Sequence, residues 1–293
     1  MSWLQVQIDL GNMDPDPLEH ALLRLGAACI EYSDAGNEPI LEPDPDTTPL
    51  WQKVRVAALF SVDTSETAVR LAVAGSVTPA GTPRIRFSII ENQDWISEWK
   101  QNLKPAVFGG KLWICPPGTL DPAAGRVSVT MEPGLAFGTG SHPTTALCLS
   151  WLADQKLQHQ SILDFGCGSG ILGIAGLALG ADHVTAVDID KQALTATREN
   201  SERNQCANRL RVHTPDLLDA TETFDLIVAN ILSGTLVTLE PLLRSHSRSG
   251  TKIALSGILT SQITEVSDAY SQWITFDPPV TRLNWAIITG YRI

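Results

Sequence analysis

The first ninety residues alternate between two hydrophobic periods. Apolar residues at every second position predict strands, and apolar residues three and four apart predict helices. Together they predict the order βαββαβ, which is that of a ferredoxin-like α+β domain. The predicted strands cover 3–10, 29–34, 53–60 and 84–90, and the predicted helices cover 14–27 and 65–75.

A short helix with two tryptophans follows this region. Trp95 and Trp99 stand four residues apart, so they share one helix face, and Pro105 ends the helix. Such a pair is typical of a packing seam between larger units. The sequence therefore predicts a ferredoxin-like domain over 1–91, a linker helix over 92–105 and a second domain over 106–293.

The second domain contains one βαβ unit with a glycine-rich turn, over 161–194. An apolar strand runs to Asp164, glycines follow, and a second strand leads to Asp188. Glycines let the backbone approach a ligand, and an acid about 20 residues later is placed to accept hydrogen bonds from ribose hydroxyls. The dinucleotide frame Gly-x-Gly-x-x-Gly fails from Gly166, because Ile171 holds its last position. A frame begun at Gly168 matches, but it leaves Asp164 and Gly166 unexplained.

Further apolar runs predict a larger sheet. Strands are predicted over 211–220 and 223–232, the first leading to Asp216 and the second ending at Asn230. A strand over 251–259 and a hairpin of two strands over 273–293 complete the pattern. In open α/β sheets ligands bind at the carboxyl ends of the strands. A carboxamide at such a buried end costs free energy unless it is hydrogen-bonded, so Asn230 is a candidate functional residue.

A glycine-rich segment precedes a helix that begins at Pro143. Gly134, Gly138 and Gly140 permit a tight loop around Phe137. Thr144 and Thr145 then fall in the first helical turn, where backbone N–H groups attract anions. We expect Phe137 to cover a cofactor bound here. His142 is either a turn or capping residue or a proton acceptor.

Composition narrows the class of protein. The chain of 293 residues is 43% hydrophobic and 18% charged, which is typical of a folded protein with a large core. A net charge of −11 argues against a broad nucleic-acid surface and suits a basic protein partner. Five scattered cysteines without a Cys-x-x-Cys pair fit reduced thiols and no metal site. No apolar run is long enough to span a membrane, and we expect a cytoplasmic protein.

Two levels of resemblance sharpen this picture. Asp164-x-Gly166-x-Gly168-x-Gly170 resembles the first motif of class I methyltransferases, which bind S-adenosylmethionine in a Rossmann-like α/β fold. The runs EPGLAFGTGSHPTT, LDFGCGSGILGIA, AVDID and ANIL, with DWISEWK before them, resemble the PrmA family, methyltransferases of large-subunit ribosomal protein eleven, along essentially the whole chain.

That resemblance implies a protein methyltransferase. The first domain would recognise the ribosomal protein, the linker would let it swing, and the second domain would methylate lysine ε-amines and the N-terminal α-amine. Asn230 is the expected catalytic residue, orienting the amine together with the adjacent backbone carbonyl. Expected cofactor contacts are Thr145, Gly166, Asp188 and Asn230, together with Gly168, Phe137 and Asp216. No metal, nucleic-acid substrate or membrane is expected, and a monomer is favoured.

The residues leave three other interpretations of the function open. A small-molecule or nucleic-acid methyltransferase would share the second domain but gives the first domain no purpose. An oxidoreductase would need the shifted glycine frame. A non-catalytic ribosome-binding protein is disfavoured because the glycines, Asp188 and Asn230 are all present.

Overall fold

The structure of the protein is a computed structural model. It contains two compact units, Met1–Trp95 and Ile96–Ile293. The structure describes residues 2–36, 40, 49–76, 83–91, 105–121, 123, 125–132, 140 and 142–293. Apart from Pro105, the linker helix predicted over 92–105 lies outside the described residues. Gly134, Phe137 and Gly138 lie outside them as well.

The first unit is a four-stranded antiparallel sheet with two helices. Its elements are β1 (Ser2–Gly11), α1 (Asp16–Arg24), β2 (Cys29–Asp34), β3 (Val54–Ser61), α2 (Glu66–Ser76) and β4 (Arg84–Glu91). The strand order β2-β3-β1-β4, with every neighbouring pair antiparallel, is that of the predicted ferredoxin-like domain.

Period-two burial explains why this sheet carries its helices on one face. Along β1, alternate side chains from Leu4 to Leu10 are buried, while the residues between them stay partly exposed. Leu22 of α1 and Val69 of α2 pack into the same apolar cluster. The period that predicts the strands therefore also determines which face becomes the core.

The second unit begins with a small sheet and continues into a large one. The small sheet contains β5 (Ala106–Phe108), β6 (Leu112–Cys115) and β7 (Val127–Thr130) in that order. The large sheet contains β8 (Ser161–Phe165), β9 (His183–Val187), β10 (Leu210–His213), β11 (Phe224–Asn230), β12 (Ser247–Leu259), β13 (Ile274–Phe276), β14 (Val280–Arg282) and β15 (Trp285–Arg292). Its helices are α3 (Pro143–Asp154), α4 (Ile171–Ala178), α5 (Lys191–Arg203), α6 (Ser233–Ser245) and α7 (Ile263–Tyr270).

The large sheet has a Rossmann-like strand order with one reversed strand. The order is β10-β9-β8-β11-β12-β15-β13, and the first five strands are parallel. β15 runs antiparallel to both β12 and β13. The α/β fold class expected for this domain is confirmed. The hairpin predicted over 273–293 is wrong in one detail, because β14 forms a third strand that pairs with β15. β14 has three residues, all exposed, so no apolar alternation marks it.

Close helix–sheet packing fixes the start of the large sheet. A Cβ on Gly173 of α4 would lie 2.9 Å from Val184 Cγ1, and a Cβ on Gly176 would lie 2.5 Å from Ile162 Cδ1. Only glycine permits this approach of α4 to β8 and β9.

Among the helices in the described ranges, none combines the length and apolar character needed to cross a bilayer.

Candidate functional site

The strand order reverses between β8 and β11. From β8 the chain proceeds outward through β9 and β10, then returns to place β11 on the other side of β8. Parallel strands on the two sides of such a switch point leave a crevice at their carboxyl ends, where ligands of open α/β sheets bind. Of the residues expected to bind or act, five lie at this edge, at or just beyond the ends of β8 to β11: Gly166, Gly168, Asp188, Asp216 and Asn230.

The loop after β8 turns on three glycines. The φ angle is 75° at Gly166, 54° at Gly168 and 79° at Gly170, a left-handed conformation that glycine adopts at little cost. The N–H groups of Gly166 and Cys167 both donate to the Val187 carbonyl, at 2.8 and 3.0 Å. These bonds anchor the loop to the end of β9 and keep its backbone against the crevice.

Asp188 organises this loop from the end of β9. Its Oδ2 accepts the Gly168 N–H at 2.9 Å, and its Oδ1 accepts the Asp190 N–H at 2.9 Å. A carboxylate has about four acceptor positions, so two hydrogen bonds leave capacity for hydroxyl groups of a ligand. The carboxylate is thus oriented by the same loop that would border a bound nucleoside.

Two polar side chains of α5 support the loop from the other side. The Thr197 hydroxyl donates to the Gly168 carbonyl at 2.9 Å, and the Asn200 amide donates to the Ser169 carbonyl at 2.9 Å. Both side chains are buried. We did not predict either residue, because Thr and Asn in a helix of high polarity resemble a solvated face. The only feature of the sequence that could have indicated these two residues is their spacing of three positions, which places both on one face of a helix.

Asp164 is a fully buried carboxyl at the start of the crevice. Its Oδ2 accepts the Gly173 N–H at 2.9 Å, whereas its Oδ1 has no hydrogen-bond partner within the described part of the chain. Burial raises the pKa of Asp164 to about 7, and the nearby charge of Asp188 adds to the increase, although the Gly173 hydrogen bond opposes it. The unpartnered oxygen identifies Asp164 as a polar group that a ligand or water can satisfy.

The raised pKa predicts a specific pH dependence of stability. Between the unfolded value of 3.8 and about 7, the folded protein holds a proton that the unfolded chain releases. Stability therefore declines as pH rises through this window, by about 1.4 kcal/mol per pH unit from this group. We expect Asp164→Asn to remove that decline, as measured by urea unfolding without ligand from about pH 4 to about pH 8. Parallel stability curves for the two proteins would show that Asp164 is ionised throughout.

Asn230 and Thr145 meet across the crevice. The Asn230 Nδ2 donates to the Thr145 Oγ1 at 3.3 Å, and Thr145 is fully buried in the first turn of α3. Asn230 Oδ1 is buried and accepts no hydrogen bond from any described residue. The two residues are 85 positions apart in the chain. The contact fixes the carboxamide so that its oxygen is the atom left to bind a hydrogen-bond donor.

His142 caps α3. Its Nδ1 accepts the Thr144 N–H at 3.4 Å and lies 2.7 Å from the Thr144 hydroxyl oxygen. Its ring meets the Trp285 ring edge to face, with centroids 4.9 Å apart. Burial lowers the pKa of His142, which favours the neutral ring. The capping role expected from the sequence is confirmed, and the engaged Nδ1 makes a proton-acceptor role at that atom unfavourable.

The outer part of the crevice has exposed apolar side chains beside acids. Asp216 lies in a 3-10 turn after β10 and is exposed. Ile189 and Leu217, which each follow an acidic site residue directly, are 84% and 67% exposed. Flat apolar ligands such as a nucleobase bind between side chains of this kind. We did not predict Ile189 or Leu217, since one apolar residue in a polar turn carries no periodic signal.

Residues of the described ranges form no metal site: no group of three or more His, Cys, Asp or Glu side chains could hold an ion there. All five cysteines are free thiols, and only Cys29 is exposed.

One crevice brings together five of the expected site residues, with Asp216 near its outer edge: Gly166, Gly168, Asp188, Asn230 and Thr145. Phe137 lies outside the described residues, and its covering role stays a prediction.

The chain is similar to known proteins over its whole length. The family model described as ribosomal protein L11 methyltransferase (PrmA) matches residues 2–292. A ribosomal protein L11 methyltransferase of Hahella chejuensis is 44% identical over 293 residues, covering 100% of this chain and 99% of the relative. One from Pseudomonas savastanoi pv. phaseolicola is 45% identical over 293 residues, covering 100% of both.

A solved structure agrees with this similarity. The crystal structure of a ribosomal protein L11 methylase from Lactobacillus delbrueckii subsp. bulgaricus superposes with a TM-score of 0.56 at 31% identity. The match covers 65% of this chain and 97% of that protein.

Proposed function

The chain belongs to the PrmA family of ribosomal protein L11 methyltransferases, and from this premise we propose which residues bind S-adenosylmethionine and which orient the acceptor. As a member of this family the protein is an S-adenosylmethionine-dependent enzyme that methylates ribosomal protein L11. The proposed acceptors are lysine ε-amines and the N-terminal α-amine. The observation that carries the proposal is that Asn230 Oδ1 is buried at the crevice and accepts no hydrogen bond from the described residues.

The glycine loop and Asp188 would hold the nucleoside. The positive φ angles of Gly166 and Gly168 leave the loop backbone free of Cβ atoms, so a ligand can approach closely. The Asp188 carboxylate, already fixed by two N–H groups, would accept the ribose hydroxyls. Ile189 and Leu217 would contact the two sides of the adenine, with Asp216 accepting from its amino group.

The first turn of α3 would hold the methionine part of the cofactor. The amino end of this helix carries partial positive charge that favours a carboxylate. The Thr145 hydroxyl accepts a hydrogen bond from the Asn230 Nδ2, and its own proton can be donated to the methionine carboxylate of the cofactor. Asp164 Oδ1 is a fitting acceptor for the ammonium group, because it is buried and lacks a hydrogen bond from the described residues. When bound, S-adenosylmethionine supplies an electrophilic methyl group on a sulfonium.

Asn230 would then orient the acceptor amine. Its Oδ1 and the carbonyl of Ile231, the next residue, are two acceptors for the N–H groups of a primary amine. Two N–H groups held by two fixed oxygens leave the nitrogen lone pair with one direction. Holding a nucleophile in one orientation contributes much of the rate of a bimolecular reaction when it is bound beside its partner.

The amine must be neutral to react. A lysine ε-amine has a reference pKa of about 10.4, and transfer into a site with little water lowers that pKa, because burial disfavours the charged form. Carbonyl and carboxamide oxygens carry no full charge and do not stabilise an ammonium as a carboxylate would. We therefore propose that Asn230 and Ile231 accept hydrogen bonds from the neutral amine, and that no strong base takes part.

The remaining proposals concern the whole chain. The domain over 1–91 would bind the ribosomal protein, and the domain over 106–293 would transfer the methyl group. The net charge of −11 favours a basic protein partner over a nucleic acid. A ribosomal-protein modifier without an apolar span in its described helices fits the cytoplasm. A monomer is proposed for the free enzyme.

A methyl-transfer assay tests the proposed acceptors. The pure protein is incubated with radiolabelled S-adenosylmethionine and purified ribosomal protein L11, with total ribosomes in a parallel reaction. We expect label on lysine ε-amines and on the N-terminal α-amine, located by mass spectrometry. Ribosomal protein L11 with acetylated amines is the matched control and should take up no label. Label on a carboxamide, a carboxylate or ribosomal RNA would contradict the proposed acceptors.

A further inference from the structure

Gly257 lies against the backbone of Ile231. Gly257 is inside β12 and has a φ of 86°. A Cβ at this position would lie 2.8 Å from both the nitrogen and the carbonyl carbon of Ile231, and closer still to the carbonyl oxygen. Real Cβ atoms do not approach backbone atoms to this distance. A residue larger than glycine therefore requires the Ile231 peptide to move.

The strand is interrupted at the same point. The register between β12 and β15 shifts between Ser256 and Ile258, so Gly257 forms a bulge in a strand whose neighbouring residues are buried. Glycine weakens the interior of a strand and typically marks either a bulge or a close backbone approach. Here both occur, and the approaching backbone is that of Ile231.

Ile231 is also held on its other sides. Its N–H donates to the Ser256 carbonyl at 3.1 Å, which ties it to the residue before Gly257. Its Cγ2 occupies the space that a Cβ on Gly166 would need. Ile231 is therefore seated between two glycines with positive φ, one in the ligand loop after β8 and one in β12.

We infer that Gly257 is a positioning residue for methyl transfer: it leaves space for the Ile231 carbonyl to sit where it accepts a hydrogen bond from the substrate amine. This inference rests on the proposed function, in which that carbonyl and Asn230 Oδ1 together orient the amine. It extends the site to β12, a third strand, whose Gly257 would act through the Ile231 peptide.

Gly257→Ala tests the inference, and Gly250→Ala is its matched control. Gly250 lies in the same strand with the same φ of 86°, but nothing lies within 4 Å of an added Cβ. Both variants place an alanine at the same positive φ, and only Gly257→Ala brings the new Cβ against Ile231. We expect Gly257→Ala to lower kcat about 100-fold, since small displacements of reacting groups have effects of this size. The Kd for S-adenosylmethionine should change little, and Gly250→Ala should retain wild-type kcat.

Hydrogen exchange supplies a readout that does not depend on activity. Displacing the Ile231 peptide should weaken its bond to the Ser256 carbonyl, so the Ile231 amide should exchange faster in Gly257→Ala than in Gly250→Ala. Equal kcat values and equal Ile231 exchange in the two glycine variants would overturn the inference.

Parallel measurement of Asn230→Ala separates two kinds of failure. If kcat falls in Asn230→Ala but stays at the wild-type value in Gly257→Ala, only the role of Gly257 is overturned. If Asn230→Ala keeps the wild-type kcat, the proposed orientation of the amine is overturned, and this inference is overturned with it. If Gly257→Ala does not fold, Ile231→Ala is the second variant. It removes the side chain that is seated against Gly166 and helps to hold the Ile231 peptide against Gly257. The carbonyl should then lose its fixed position, so we expect folded protein with reduced kcat. Wild-type kcat in Ile231→Ala would show that the position of this carbonyl does not matter, and it would overturn the inference.

Discussion

Asn230→Ala is expected to lower kcat about 100-fold while the protein stays folded. Alanine removes the buried Oδ1 that would accept the substrate N–H, and the Ile231 carbonyl alone leaves the amine free to rotate. The fold should survive, because among the described residues the carboxamide makes one hydrogen bond of 3.3 Å, to Thr145, and its oxygen makes none. Steady-state kinetics with ribosomal protein L11 and a thermal melt measure the two effects.

Asn208→Ala is the matched control for this substitution. Asn208 is exposed in a 3-10 turn before β10, away from the carboxyl ends of the strands. Its replacement by alanine should leave both kcat and Tm near wild type. Unchanged kcat in Asn230→Ala would remove this residue from the mechanism. A large loss of Tm would instead give it a structural role.

Asp188→Ala is expected to weaken S-adenosylmethionine binding about 100-fold or more. Hydrogen bonds to a charged group contribute about 1.5–3 kcal/mol each, and two ribose hydroxyls would lose their acceptor. The Gly168 N–H would also lose its partner, so the glycine loop would be less well ordered before binding. Isothermal titration calorimetry measures the change in Kd, which should exceed any change in kcat at saturating cofactor.

Asp190→Ala controls for the loss of an acid in the same turn. Asp190 is exposed and caps α5, where its Oδ1 accepts the Gln192 N–H at 2.9 Å. Removing such a cap costs about 1 kcal/mol of stability. We expect a lower Tm with a cofactor Kd close to wild type. Equal weakening of cofactor binding in both variants would show that charge in this turn, rather than the Asp188 contacts, determines affinity.

Much of the fold follows from local patterns. Four strands and two helices of the first unit appear within two or three residues of the ranges that periodicity predicts. β11 ends at Asn230 as predicted, because a short apolar run is bounded by polar residues at both ends. β14 escaped prediction because all of its residues are exposed and it is too short to show alternation.

The positions of the candidate site residues were predictable where one residue type has one physical use, and their binding roles stay predictions. Glycines mark backbone that must adopt positive φ, and an acid after the second strand of a βαβ unit marks a ribose site. Thr197 and Asn200 were not predictable, because their role arises only when α5 is packed against the loop. The raised pKa of Asp164 likewise depends on burial by residues distant in sequence.

The sequence by itself determined which segments become strands, helices and glycine turns, since periodicity and backbone preference act between neighbouring residues. It also placed Gly166, Asp188 and Asn230 at the ends of their strands. Only the tertiary structure decided which of these ends meet. The pairing of Thr145 with Asn230 and the seating of Ile231 against Gly257 depend on strand order and on contact distances of about 3 Å. Contacts between residues distant in sequence leave no local pattern, so packing alone specifies them.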